Sequence, residues 1–150
     1  NSFRIIYPGE QPVGLQQLGA LAGWHHAAPF MVGIDADWGS WYAYRAVVLA
    51  DTRFRPFLAV DRNNPCHTCE TQPCVAACPA QAMAGGGFSL ARCAAWRLQP
   101  GSTCAFTCQA RLACPVGSAH RYDADQLRHT YSISLQTIRQ HFGARLPDET

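Results

Sequence analysis

Cys66-His67-Thr68-Cys69-Glu70-Thr71-Gln72-Pro73-Cys74-Val75-Ala76-Ala77-Cys78-Pro79 is the stretch on which the reading of this chain turns. Its spacing is C-x2-C-x4-C-x3-C-P. Four thiols on so short an arc are soft donors suited to a metal or a metal–sulfide cluster. A second group follows, Cys93, Cys104, Cys108 and Cys114-Pro115, spaced x10, x3 and x5. The eight cysteines could also form four disulfides. Against that, they all lie between Cys66 and Cys114, and the apolar-patterned residues before Cys66 contain none. A disulfide scaffold spreads its staples through a loop-rich chain that lacks a core.

The first spacing is the bacterial ferredoxin run C-x2-C-x2-C-x3-C-P with one loop lengthened. Such an arc wraps one corner of a cubane and turns backbone N–H groups toward its sulfides. In that pattern the proline leads the fourth cysteine away to the other cluster. By the same crossing, Cys66, Cys69, Cys74 and Cys114 hold one [4Fe–4S] cluster, and Cys78, Cys93, Cys104 and Cys108 the second. Crossed ligation ties the ends of the region together, so folding without iron is expected to fail locally. Two zinc sites of four cysteines each would use the same ligand count and also favour a C-x2-C pair. The proline after each last cysteine and the x4/x3 spacing suit zinc less well.

The 150 residues suffice for one domain, and 48% hydrophobic with 15% charged residues excludes a disordered chain. No apolar run approaches the roughly 18 residues that span a bilayer. There is no basic-then-apolar leader, and a chain starting at Asn1 is read as a processed or excised piece. The formal charge of +2 becomes about −2 with eight thiolates on two +2 cluster cores. That removes a charge-based argument for nucleic acid. Oxygen-sensitive clusters without a secretion signal point to the cytoplasm.

Residues 1–62 read as an α/β portion packed on the cluster region, residues 63–150 as the two-cluster region with a C-terminal helix, the whole one compact unit. Pro12 opens a helix expected over Val13 to Trp24, burying Leu15, Leu18, Leu21 and Ala22. Pro29 precedes the apolar run Phe30 to Ile34, and Asp35 to Gly39 reads as a turn. Tyr42 to Leu49 and Phe57 to Val60 read as strands of an antiparallel pair. Ser89 caps a helix through Cys93 and Trp96; Gly85 to Gly87 precede it as a loop and Pro100 to Ser102 follow as a turn. Residues 122–142 form the clearest helix, with Asp123 as N-cap and Leu127, Tyr131, Leu135, Ile138 and Phe142 on one face. Gly143 is the expected C-cap and Pro147 bars continuation.

Leu18-Gly19-Ala20-Leu21-Ala22-Gly23-Trp24, then Gly39-Ser40-Trp41 and Arg45-Ala46-Val47-Val48-Leu49-Ala50-Asp51, resembles the segment before the clusters in epoxyqueuosine reductases. The order that follows is similar too: a run ending in Cys-Pro, an isolated cysteine in Phe88-Ser89-Leu90-Ala91-Arg92-Cys93, and a last group ending in Cys-Pro. The resemblance spans roughly Leu18 to Gly117. It implies a cobalamin-binding module beside a two-cluster ferredoxin module that feeds it electrons to reduce a modified tRNA base. Reductive dehalogenases share related architecture. It also supports the crossed ligation. The chain departs from the family in four places, one being the altered spacing of both cysteine groups. Most of the longer N-terminal region is missing, Tyr7 to Val13 offers no counterpart of the catalytic acid, and the C-terminal helical repeats are absent. Pro73 before Cys74 makes the first group look more like electron-transfer subunits of molybdenum oxidoreductases.

Other residues have plainer readings beside the functional ones. Trp24-His25-His26 could meet a metal or corrinoid but suits a solvent-edge helix end better. His67 could hydrogen-bond a sulfur or be an exposed loop residue. Asp35 and Asp37 suit turn chemistry better than a carboxylate pair. Arg121, Arg128, Arg139 and Arg145 read as a solvated face before a phosphate site. Gly85 to Gly87 lacks the strand–helix context of a nucleotide loop.

The expected fold is α+β: a small partial nitroreductase/cobalamin-reductase-like α/β half, then a dicluster ferredoxin-like half closed by a C-terminal helix. The expected function is single-electron transfer through two [4Fe–4S] clusters, with a redox protein or larger oxidoreductase as partner and no acid–base catalytic residues. The alternative is a cobalamin-dependent reductase, or a fragment of one, with tRNA as a partner only in that case. It requires a cavity near Trp24 to Ile34 or Trp41 to Tyr44.

Overall fold

In the computed structural model, residues 2–56, 60 and 62–143 are described. Among them the fold is α+β, with five α-helices and one two-stranded antiparallel sheet. Strand β1 (Phe3–Tyr7) pairs with β2 (Val47–Ala50), Phe3 opposite Ala50 and Ile5 opposite Val48. The expected strand at Tyr42 to Leu49 is thus shorter and later. Its partner is the N-terminal segment, where the residue pattern predicts no strand, and residues 57–59 lie outside the described residues. Tyr42, Tyr44 and Trp41 instead pack as single aromatic side chains in irregular backbone.

Helix α1 spans only Leu15–Leu21. The expected leucine stripe is not its buried face: Leu21 is 81% exposed, Leu18 41%, and the residue that is buried is Gly19. The reason is a close approach. A Cβ on Gly19 would stand 1.8 Å from the Tyr44 hydroxyl, so the helix meets the molecule through its glycine. Gly23, in the left-handed region, ends the helix early.

The Asp35–Gly39 turn forms as a reciprocal pair of backbone hydrogen bonds, 2.8 and 2.9 Å. Asp35 Oδ1 accepts from the N–H groups of Asp37 and Trp38, an Asx-type closure. Phe30 and Ile34 enter the core without forming a strand. Gly39 (φ +60°) and Gly117 (φ +65°) bring two backbones into contact. A Cβ at Gly39 would fall 2.1 Å from the Val116 carbonyl oxygen, and one at Gly117 2.3 Å from the Trp38 carbonyl carbon.

In the cysteine region the helices are short: α2 (Pro73–Ala76), α3 (Leu90–Leu98) and α4 (Gln109–Ala113). The Ser89 hydroxyl accepts from the Arg92 N–H at 3.3 Å, capping α3 as expected. Helix α5 (Ala124–Phe142) begins on Asp123, whose Oδ1 accepts from the Gln126 N–H at 2.8 Å. Its inward face carries Leu135 and Ile138, both buried, with Leu127, Tyr131 and Phe142 half-buried. Gly143 is the C-cap as expected, right-handed (φ −59°), its N–H donating to the Arg139 carbonyl. Pro147 lies outside the described residues. No described helix is long and apolar enough to cross a membrane.

Candidate metal centre

The first cysteine arc is anchored by Asn64. Its side-chain oxygen accepts from the Cys66 N–H at 3.0 Å, and its amide donates to the Ala27 carbonyl at 2.9 Å. A 3-10 turn over Pro65–Thr68 then carries Cys66 to Cys69. Gln72, in the left-handed region, reverses the chain, and Pro73 starts α2 so that Cys74 turns inward, 6% exposed. At its far end α2 delivers Cys78 elsewhere. Helix α4 divides the second group in the same way. Cys108 sits at its N-cap and Cys114 at its C-cap, held extended before Pro115.

The thiols fall into two sets. Cys66, Cys69, Cys74 and Cys114 line a narrow cavity of about 20 Å³, walled by Phe30, Ile34, Val116 and four prolines. Cys78, Cys93, Cys104 and Cys108 line another of about 130 Å³, with Phe30, Met83, Phe88, Trp96 and Tyr131 around them. Phe30, 5% exposed, touches both cavities. Each set therefore takes three cysteines from one sequence group and the fourth from the other, the division that the crossed spacing suggests.

Electrostatics follow the same division. Burial, then Cys114, Cys74 and Cys69, push the Cys66 thiol up to about 11. Burial, then Cys108, push Cys93 up to about 11, with Cys78 and Cys104 adding to it and Arg97 opposing. Cys74 and Cys108 are raised too, burial again first. Backbone N–H groups of Val75, and of Arg111 and Ala110, work in the other direction on them. Like charges raise a thiol's pKa because each thiolate penalises the next. A metal centre reverses that penalty by neutralising them together.

All eight cysteines are unpaired thiols. Among the described residues no group of three or more His, Cys, Asp or Glu side chains is drawn together tightly enough to hold a metal ion as it stands. A mononuclear zinc gathers sulfurs at about 2.3 Å from one point. A cubane is instead a body lying between four sulfurs. Two sets of four soft donors, each around its own apolar-walled space, have the donor chemistry for such a body. The Cys66 cavity is narrow and would have to widen to take it.

Two buried arginines that carry no motif in the sequence lie near the thiols, Arg97 in the wall of the larger cavity and Arg111 on α4. Arg97, one helical turn after Cys93 on α3, is 7% exposed. It donates to the carbonyls of Cys104 (3.1 Å), Ala105 (3.4 Å) and Tyr131 (3.1 Å) and to the Ser134 hydroxyl (2.9 Å). Arg111, three residues after Cys108, is 5% exposed and donates to the Ser40 hydroxyl at 3.1 Å and to the Ser40 carbonyl. Its guanidinium lies 4.2 Å from the Trp41 ring centre and 5.0 Å from that of Tyr122. An arginine three or four residues after a cysteine on one helix is the signal that could have found them.

The remaining candidates have structural places. His67 is exposed on its turn. His25 Nδ1 meets the Tyr42 hydroxyl at 3.2 Å. Asp37 pairs with Arg62 at the surface. Arg121 donates to the Cys114 carbonyl at 3.2 Å, and Arg128 covers the Phe106 ring at 5.0 Å. Arg139 is exposed, and Arg145 lies outside the described residues. Gly85 to Gly87 stand in open space. A separate cavity of about 670 Å³ opens in the first half, lined by Trp24, Asp35, Trp38 and residues 41–44.

No family model, curated protein or solved structure matches the chain.

Proposed function

We propose that the chain is an electron-transfer protein, Cys66, Cys69, Cys74 and Cys114 holding one [4Fe–4S] cluster and Cys78, Cys93, Cys104 and Cys108 the other. The finer arrangement proposed with it is an α/β half packed on a dicluster ferredoxin-like half. One observation carries the reading: the eight thiols sort into two sets of four, each around its own cavity and each crossing between the two Cys-Pro groups. A bound cluster supplies a single-electron couple whose potential depends on burial, charge and hydrogen bonds to sulfur.

The chain's own residues supply those levers. Apolar side chains such as Phe30, Ile34, Met83 and Phe88 wall the two cavities, with Cys74, Cys104 and Cys114 buried and the other five cysteines part-buried. The Ala110 and Arg111 N–H groups donate toward Cys108. Arg97 brings a fixed positive charge beside Cys93. Phe30 separates the two sets by one side chain, a short gap for an electron to cross.

The test is metal content, absorption and reduced-state EPR on one sample purified without oxygen. About eight irons per chain, a broad band at about 400 nm and signals of two interacting clusters are expected. About two zincs and no colour would replace electron transfer with a structural or binding role.

A further inference from the structure

The cavity of about 670 Å³ beside the thiol sets is of the size that holds small molecules. Its walls are aromatic: Trp24, Trp38, Trp41, Tyr42 and Tyr44. Neighbours brace Trp38, Trp41, Tyr42 and Tyr44. His120 stacks on Trp38 at 4.2 Å between ring centres. The Arg111 guanidinium lies 4.2 Å from the centre of the Trp41 ring. Tyr42 and Tyr44 meet edge to face at 5.5 Å, and the Tyr42 hydroxyl is engaged by His25. Trp41 is buried at 3% exposure, and the more exposed rings set this way offer flat faces at little ordering cost to a ligand. Trp24 and Trp38 are still 52% and 53% exposed, so a stacked ligand would remove large apolar area from water.

The charge around the cavity selects among flat ligands. Among the described residues that line it, the charged ones are Asp35, Asp37 and Arg62, which pairs with Asp37, while the Arg111 guanidinium lies one ring away against Trp41. Asp35 is 8% exposed, held by the N–H groups of Asp37 and Trp38. A lining that leaves one carboxylate over beside open ring faces favours cations above anions.

We propose that this cavity binds a planar heteroaromatic small molecule, neutral or cationic, and rejects anionic ones. Its wall adjoins that of the Cys66 set, since Ile34 faces the thiols and the next residue, Asp35, faces this cavity. A bound ring would therefore sit beside that set. Binding of the ring does not depend on which metal the thiols take.

Calorimetry on the oxygen-free purified protein tests it with three probes of one shape: 1-methylquinolinium, quinoline and quinoline-4-carboxylate. The cation and the neutral ring should saturate one site, with the carboxylate at least about tenfold weaker. Trp24→Ala and Trp38→Ala should each weaken the cation by about tenfold, and Trp38→Phe should restore most of the loss. Metal content and visible absorption, read on the same samples, should stay as in the parent and separate a lost pocket from a lost fold. No saturable heat up to about 1 mM probe, equal binding of the carboxylate, or unchanged affinity in both alanine variants would overturn the proposal. So would preferential binding of hydroxocobalamin, which would assign the cavity to a corrinoid. A sample without iron that still binds the cation would sink the cluster reading and leave this one standing.

Discussion

Arg97 is buried, yet its guanidinium finds oxygen in four directions: three carbonyls and one hydroxyl. Lysine cannot reproduce that fork. Arg97→Met would strand the carbonyls of Cys104, Ala105 and Tyr131, and a loss of about 3 kcal/mol is expected, read from urea unfolding midpoints. If the thiols hold the proposed clusters, the same change should lower the potential of the Cys93 set and leave the Cys66 set unmoved, as potentiometry with EPR would resolve. Wherever the metal-free, reduced chain keeps these thiols buried, they predict a pH dependence. Burial raises Cys66 and Cys93 from 9.0 to about 11. Folding thus favours their protonated forms. Their contribution is fully present below about pH 9 and is lost as pH climbs through about 11. Denaturant midpoints at neutral pH, pH 9 and above pH 10 should fall across that window only; a flat profile would show thiols that are not desolvated.

Helix α3 hangs on one side chain. Ser89→Ala removes the cap that the Arg92 N–H uses and should cost about 1 kcal/mol. Cys93, carried on that helix, would become more accessible to a thiol reagent in the metal-free chain. The Gly39–Gly117 contact is less forgiving. Gly117→Ala combines a left-handed backbone with a Cβ aimed at the Trp38 backbone, and at least about 2 kcal/mol should be lost. Its readout is the thermal midpoint, compared with an alanine at Gly101. That glycine is also left-handed but has open space around it, so only the backbone term remains. Helices α3 and α5 were legible because each announces itself by a cap and a periodic face. The sheet was not. Phe3 and Ile5 are 72% and 54% exposed, so β1 carries no alternation that separates a buried face from a wet one. The α1 stripe misled for a related reason: periodicity marks a face as apolar, but a close approach of Tyr44 to Gly19 chose another.

Across the molecule, spacing alone suggested which thiols share a cavity, because Cys-Pro sends the chain away from the turn that precedes it. What spacing lacks is the walls. Ile34 and Phe30 reach the thiols from residues far upstream, and Ser40 receives Arg111 across 71 residues of sequence. Such long-range partners leave no local trace. The same distribution means that neither Cys-Pro group contains a full set of four cysteines for one cavity.

Gly85, Gly86 and Gly87 stand in open space between Cys78 and Cys93. A chain divided there yields two polypeptides of four cysteines each, three for one cavity and one for the other. On the proposed cluster reading such fragments are expected to form a complementation pair, colourless and apart without iron, joined and coloured when supplied with it. Co-expression with separate tags, followed by pull-down under iron-replete and iron-starved growth, would turn the crossing of the chain into a reporter of cellular iron supply.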